Sequence, residues 1–176
     1  MNSTNGGAPA RADGLTIIED ADPDAAARAA PWKVLIADDE PDVHVATKLA
    51  LKDFSFNQRR IEFLDAYDGN KTCEILRQHP DTAVVFLDVV MESEDSGLKV
   101  VRRIREEIGN ARVRIILRTG QPGQAPEQQV LLSYQINDDK AKSELTARKL
   151  FTSLVSALRS YQELQALEAS LLARMR

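Results

Sequence analysis

One cysteine, one tryptophan and two histidines are all that this chain of 176 residues holds of those types. Cys73 alone can close no internal disulfide, which fits a reducing compartment. His44 and His79 have no Cys or His partner at ligand spacing. Both read as solvated residues, at a helix start and a helix end. No apolar run approaches the roughly 20 residues that cross a bilayer. An excess of basic charge is also missing. The net charge is -4, which argues against a nucleic-acid footprint. Arg102, Arg103 and Arg105 read as the wet side of a helix. The start Met1-Asn2-Ser3-Thr4-Asn5-Gly6-Gly7 lacks a basic stretch followed by an apolar one, so a cytoplasmic location is expected.

What is present is an ordinary globular composition, 43% apolar and 28% charged, enough for one domain with extensions. Two short, unbroken, β-branched runs stand out. Lys33-Val34-Leu35-Ile36-Ala37 ends on Asp38 and Asp39, and Ala83-Val84-Val85-Phe86-Leu87 ends on Asp88. Such runs read as strands buried on both faces. Carboxylates at the C-terminal ends of parallel strands lie where open α/β sheets carry their sites. Acids gathered near one point repel each other unless a cation neutralises them, and hard oxygen ligands suit Mg²⁺. The pattern points to metal-assisted phosphoryl chemistry.

Residues 1–31 have little apolar periodicity and read as a flexible leader. Trp32 is expected to pack where the fold begins. Strands and helices then alternate. A helix from about 41 has Val43, Ala46, Leu49 and Ala50 on one face. Ile61–Leu64 reads as a second strand, and a helix near 69–79 carries Cys73 and Leu76. A helix from about 97 to 108 shows Leu98, Val101, Ile104 and Ile108 at helical spacing. Val113–Leu117 is a fourth strand. The Pro/Gly-rich loop 120–126 precedes a short helix at 127–132, and 133–137 reads as a fifth strand with Lys140 just after it. Gly120–Gly123 is no phosphate-cradling loop, because no Gly-Lys-Ser/Thr follows. Five βα repeats imply a doubly wound α/β fold with a parallel five-stranded sheet. The flavodoxin-like order 2-1-3-4-5 is chosen because its switch point lies between the two acid-bearing strands.

The stretch 142–176 contains neither Pro nor Gly. As one helix it would extend roughly 50 Å, so an extended C-terminal helix is expected. Leu154, Leu158, Tyr161, Leu164, Leu167, Leu171 and Met175 form an apolar stripe. It suits either a helix lying on its own domain or a seam to a second copy or an output module. The seam is preferred, because a stripe beyond the domain needs burial. The expected division is a domain at 32–158 and an extension at 159–176.

These residues together resemble the receiver domain of bacterial two-component response regulators. The matching positions are Val34-Leu35-Ile36-Ala37-Asp38-Asp39-Glu40, Leu87-Asp88-Val89-Val90-Met91, Gly97, Leu117-Arg118-Thr119-Gly120 and Lys140, and the resemblance covers about 32–160. A narrower likeness is to receivers that read Arg-Thr-Gly-Gln-Pro, then Asn-Asp-x-Lys-Ala-Lys, then Glu-Leu-Thr. These are often fused to cyclic-dinucleotide phosphodiesterase or cyclase outputs, or to kinase modules. The resemblance implies Asp88 as the phosphoacceptor. Asp38, Asp39, Asp88 and the Val90 backbone carbonyl would hold Mg²⁺. Lys140 would pair with the acids and then with the phosphoryl oxygens, and Thr119 would donate its hydroxyl to one of them. The donor would be a histidine kinase or phosphotransfer protein, and the chain would turn over no free metabolite. Against the family pattern, Asn137 replaces the aromatic switch, Ala141 and Glu92 replace prolines, and Asp139 stands beside Lys140. A trans bond or notable strain is therefore expected before Ala141.

Two rival functions remain. The chain could be a dimerising scaffold through 150–176, with phosphorylation vestigial or only tuning. A Mg²⁺-dependent hydrolase with Asp88 as nucleophile would want a second acid two residues on, where Val90 stands.

Overall fold

The computed structural model describes residues 30–93, 96–119, 138–141 and 147–176, without the side chains of Thr119 and of 138–141. The leader up to residue 29, the loop at 120–126, the helix expected at 127–132 and the strand expected at 133–137 lie outside them. In chain order the elements are β1 (Trp32–Ala37), α1 (Pro41–Ala50), β2 (Ser55–Phe56), β3 (Arg59–Ala66), α2 (Gly69–Gln78), β4 (Val84–Asp88), α3 (Ser96–Arg102), β5 (Arg114–Thr119), β6 (Asp138–Ala141) and α4 (Ala147–Arg174). A single π-helical turn, Arg103–Glu107, continues α3.

The sheet order is β2-β3-β1-β4-β5-β6. Without β2, its five parallel strands have the flavodoxin-like order expected from the sequence. β2 and β3 form a small antiparallel hairpin. Its two-residue turn holds Asn57 and Gln58 at positive φ, 48° and 59°, as a turn matched to the strand twist requires. The fifth parallel strand is Asp138–Ala141, so Lys140 lies inside it rather than after it. No cis peptide occurs among the described residues, and the bond before Ala141 is trans.

Two apolar layers sandwich the sheet. On one side α2, α3 and the π-helical turn bring Cys73, Leu76, Val100, Val101 and Ile104 against Leu35, Val85 and Ile115. On the other, Leu51, Phe54, Leu150, Leu154 and Leu158 cover Val34, Phe86 and Ile116. Trp32 closes this second layer. Its indole Nε1 donates to the Phe56 carbonyl at 2.9 Å, and Tyr161 meets its ring edge-on.

The apolar face expected for α1 is not the one it buries. Leu49 is 65% exposed, and Ala46 and Ala50 face solvent. The buried stripe is His44 and Thr47, with Leu51 just beyond the helix. This stripe also has helical spacing, but its first turns sit over the polar end of the sheet. Arg105 departs from the expected wet face as well. Its Nη1 donates to the Asn110 and Val113 carbonyls, each at 2.8 Å. Burial, helped by the nearby positive charge of Arg114, pushes its pKa down to about 10.

The apolar stripe on α4 divides. Leu154, Leu158 and Tyr161 are buried on the sheet, whereas Leu167, Leu171, Leu172 and Met175 are exposed. Leu154→Ala should cost about 2–5 kcal/mol by removing a buried side chain. Leu49→Ala should change stability by about 0.5 kcal/mol or less. Urea denaturation of the two variants checks this division, and equal losses would contradict it.

Candidate functional site

The strand register collects the charged residues. Ala37 pairs with Leu87, and Leu87 with Leu117. One residue further, Asp38 follows β1, Asp88 ends β4 and Arg118 pairs with Asp88 in β5. Arg118 in turn pairs with Lys140 in β6. The four residues therefore occupy one row across four neighbouring strands, which are spaced about 4.8 Å apart. Side chains alternate along strands, so Asp38, Asp88 and Arg118 share the sheet face of Val34, Phe86 and Ile116. This is the face covered by α1 and α4. Asp38 is 0% exposed and Asp88 1%.

Asp38 is held by its own turn. Its Oδ1 accepts the Glu40 amide at 3.0 Å, a local bond that aspartate makes readily. Glu40 is the residue before α1 and Pro41 the first inside it, where proline costs no hydrogen bond. Carboxylate oxygens of Asp38, Asp39 and Glu40 lie within 4.8 Å of one another. Asp39 and Glu40 are exposed, so the trio opens to solvent from a buried base. An all-oxygen donor set of this kind fits Mg²⁺. Glu40 lies in the stretch that carries the family resemblance, but no metal role was expected for it from the sequence. Asp88 stands one strand over, outside that trio, and its Oδ1 accepts the Val90 amide at 3.2 Å. Val90 itself is half-buried. Thr119 ends β5 and pairs with Ala141. The side chains of Thr119 and Lys140 lie outside the described residues.

The loop after Asp88 is closely packed. A Cβ on Gly97 would fall 2.2 Å from the Asp88 carbonyl oxygen and 2.6 Å from Val89 Cα, so only glycine lets α3 begin there. The Gly97 amide donates to the Val89 carbonyl at 2.9 Å. Glu92, at a position where the family usually has proline, accepts the Gly69 amide at 2.6 Å. It thereby ties this loop to the start of α2, where the helix dipole favours a carboxylate.

Two polar contacts join α1 to the site end of the sheet. His44, expected to be solvated, is 2% exposed. Its Nδ1 lies 2.7 Å from Asp65 Oδ1 and its Nε2 2.7 Å from the Asp38 carbonyl oxygen. Tyr67 stacks on the ring. The histidine is buried because α1 turns it inward over the end of β3. Asp65 also accepts from Lys48 at 2.5 Å. Burial works to raise the Asp65 carboxyl pKa, but the Lys48 and His44 hydrogen bonds outweigh it and hold it below the ordinary 3.8. The second contact is Arg118, whose Nη1 donates to Thr47 Oγ1 at 3.0 Å. Neither contact was expected from the sequence. The signal was there, because His44 and Thr47 are three residues apart on one helix face, but both are polar and add nothing to an apolar periodicity.

Residues 34–153 match the family model of the response regulator receiver domain. The chain belongs to that family. Over 138 residues it is 46% identical to a 3'3'-cGAMP-specific phosphodiesterase 2 of Vibrio cholerae, a match covering 78% of this chain and 26% of that protein. It is 36% identical over 75 residues to the response regulator GtcR of Aneurinibacillus migulanus, covering 42% of this chain and 28% of that protein. The chain thus spans about a quarter of the length of these curated relatives. Among solved structures, a CheY-like receiver domain from Methanospirillum hungatei superimposes with a TM-score of 0.61 at 21% identity, covering 75% of this chain and 98% of that one. The receiver domain of an HD domain-containing protein from Pseudomonas fluorescens gives 0.63 at 17% identity, over 77% and 93%. These structural likenesses concern the fold.

Asp65 supplies a pH prediction. Its folded pKa lies below the unfolded value, so its stabilisation is complete above about pH 4 and is lost as pH falls through the folded value. Asp65→Asn should therefore lower the melting temperature at neutral pH. It should also flatten the fall of melting temperature below about pH 4. An unchanged acid slope in the variant would show that Asp65 carries no such linkage.

Proposed function

We propose that this receiver is a phosphorylation-controlled switch with Asp88 as its phosphoacceptor, loaded by a histidine kinase or phosphotransfer protein. The row of Asp38, Asp88, Arg118 and Lys140 across four strand ends carries the reading, because it joins a buried nucleophilic carboxylate to acids and cations at one level. In the proposed reaction an Asp88 oxygen attacks phosphorus in line, the phosphorus–nitrogen bond of the donor histidine breaks, and an acyl phosphate forms. Water later attacks phosphorus, the acyl oxygen–phosphorus bond breaks, inorganic phosphate leaves and the carboxylate is restored. Asp38, Asp39, Asp88 and the Val90 carbonyl would hold Mg²⁺, with Glu40 adding charge at the open side. When bound, Mg²⁺ would screen Asp88 from its acidic neighbours and draw charge from the phosphoryl oxygens. Lys140 would pair with the phosphoryl group, and Thr119 would donate its hydroxyl to it. The chain's own chemistry is then self-phosphotransfer and its reversal by water, carried out in the cytoplasm where such donors act.

In this reading 32–158 is the switch and 159–176 carries its state outward. The exposed Leu167, Leu171, Leu172 and Met175 support contact with a second copy or an output module through the end of α4, since no described residue covers them. By likeness to the cGAMP phosphodiesterase, the output would be an enzyme of cyclic-nucleotide metabolism. A scaffold role, with phosphorylation only tuning, rests on the same exposed face.

Acetyl phosphate with Mg²⁺ should add one phosphoryl group to the unmodified chain, read as intact mass. Asp88→Asn should take up none, and chelation of Mg²⁺ should abolish labelling. Light scattering on the same samples reports association through α4. Labelling of Asp88→Asn equal to that of the unmodified chain would sink the assignment. A constant dimer without labelling would favour the scaffold.

A further inference from the structure

Arg118 is 5% exposed and lies on the same sheet face as two buried aspartates. Its guanidinium reaches past Phe86, with Cζ 6.0 Å from that ring, to Thr47 on α1. Its Nε, also buried, meets no hydrogen-bond acceptor among the described residues. A buried guanidinium with one neutral hydrogen bond found for it is costly unless charge of opposite sign lies near. Here the opposite charge comes from Asp38, Asp88 and Glu40. These three hold its pKa up against burial, which is the larger effect and leaves it lowered.

We infer that Arg118 is a built-in counter-charge of the acidic site, sharing with the divalent cation the work of neutralising Asp38 and Asp88 and so weakening the site's hold on that cation. The inference rests on the switch reading above, in which Mg²⁺ is the cation. Like charges repel at close range, so a fixed guanidinium beside the acids opposes an arriving cation. The same guanidinium steadies the acids when no cation is bound. Its bond to Thr47 also makes α1 sensitive to the charge of the site, because pulling the guanidinium toward added negative charge competes with that bond. Arg118 is thus a positioning and charge-setting residue.

The sign of the effect separates this role from a merely structural one. Loss of packing would weaken binding, whereas loss of the repelling charge should tighten it. Calorimetric titration of the full chain with MgCl₂ should show Arg118→Met binding Mg²⁺ roughly three- to tenfold more tightly than the unmodified chain. Arg118→Lys should stay near the unmodified affinity. The cation-free Arg118→Met should melt lower, and added MgCl₂ should raise its melting temperature by more than it raises that of the unmodified chain. Arg118→Gln, polar and shorter, gives the same comparison if the Met variant does not fold. Equal or weaker Mg²⁺ binding in the folded neutral variants overturns the role of Arg118 while leaving the metal site intact. An unmodified chain that binds no Mg²⁺ overturns the metal reading and this inference together.

Discussion

Two carboxylates buried at one level of a parallel sheet dominate this structure. Asp38 and Asp88 sit on neighbouring strand ends, out of contact with bulk water. Coulomb repulsion between buried like charges is severe where the local dielectric is low. Among the described side chains, register brings one positive charge, that of Arg118, to the same place. Arg118 stands opposite Asp88 in the strand register, and Lys140 opposite Arg118. A slip of one residue in β1, β4 or β5 would turn its charged residue to the opposite, apolar layer. Both faces of these strands are buried in apolar layers, so a slip would leave a charge unpaired among apolar side chains, which is costly.

The same constraint explains the unusual inner face of α1. A helix lying over the charged end of a sheet gains little from presenting leucine there. His44 and Thr47 instead meet the Asp38 carbonyl, Asp65 and Arg118 with hydrogen bonds. Leu51 resumes apolar contact one turn further from the site. The cost of burying polar groups is offset by pairing them, and the pairs tie α1 to the strand ends. Arg118, opposite Asp88 in the sheet register, is one of the residues that α1 holds, through Thr47.

On the opposite side the site loop is fixed by contact rather than by charge. Gly97 admits the start of α3 against the Asp88 backbone, and Glu92 fastens the loop to α2. The far end of the molecule is bound differently. Leu154, Leu158 and Tyr161 anchor α4 to the sheet, and Arg112 pairs with Glu168 as the helix leaves it. Beyond that pair the helix has apolar side chains in solvent.

Strand identity, the five-stranded parallel order and the acid-bearing strand ends were legible in the chain, because unbroken β-branched runs have few other solutions. The exposed half of α4 was legible too, since its length exceeds any domain of this size. The β2–β3 hairpin was not, because its turn uses Asn57 and Gln58 without glycine, and the strand at 138–141 was misplaced because its residues are polar. The roles of His44, Glu40 and Arg118 were hidden for a related reason. Amphipathic periodicity finds apolar faces, and these side chains are held by polar partners, among them Asp65 for His44 and Thr47 for Arg118, or gathered at a turn, rather than by hydrophobicity. Local sequence thus determined which segments become strands and which carboxylates end them. Only the folded sheet decided which charges face one another, because register and the packing of α1 set the distances on which electrostatics depends.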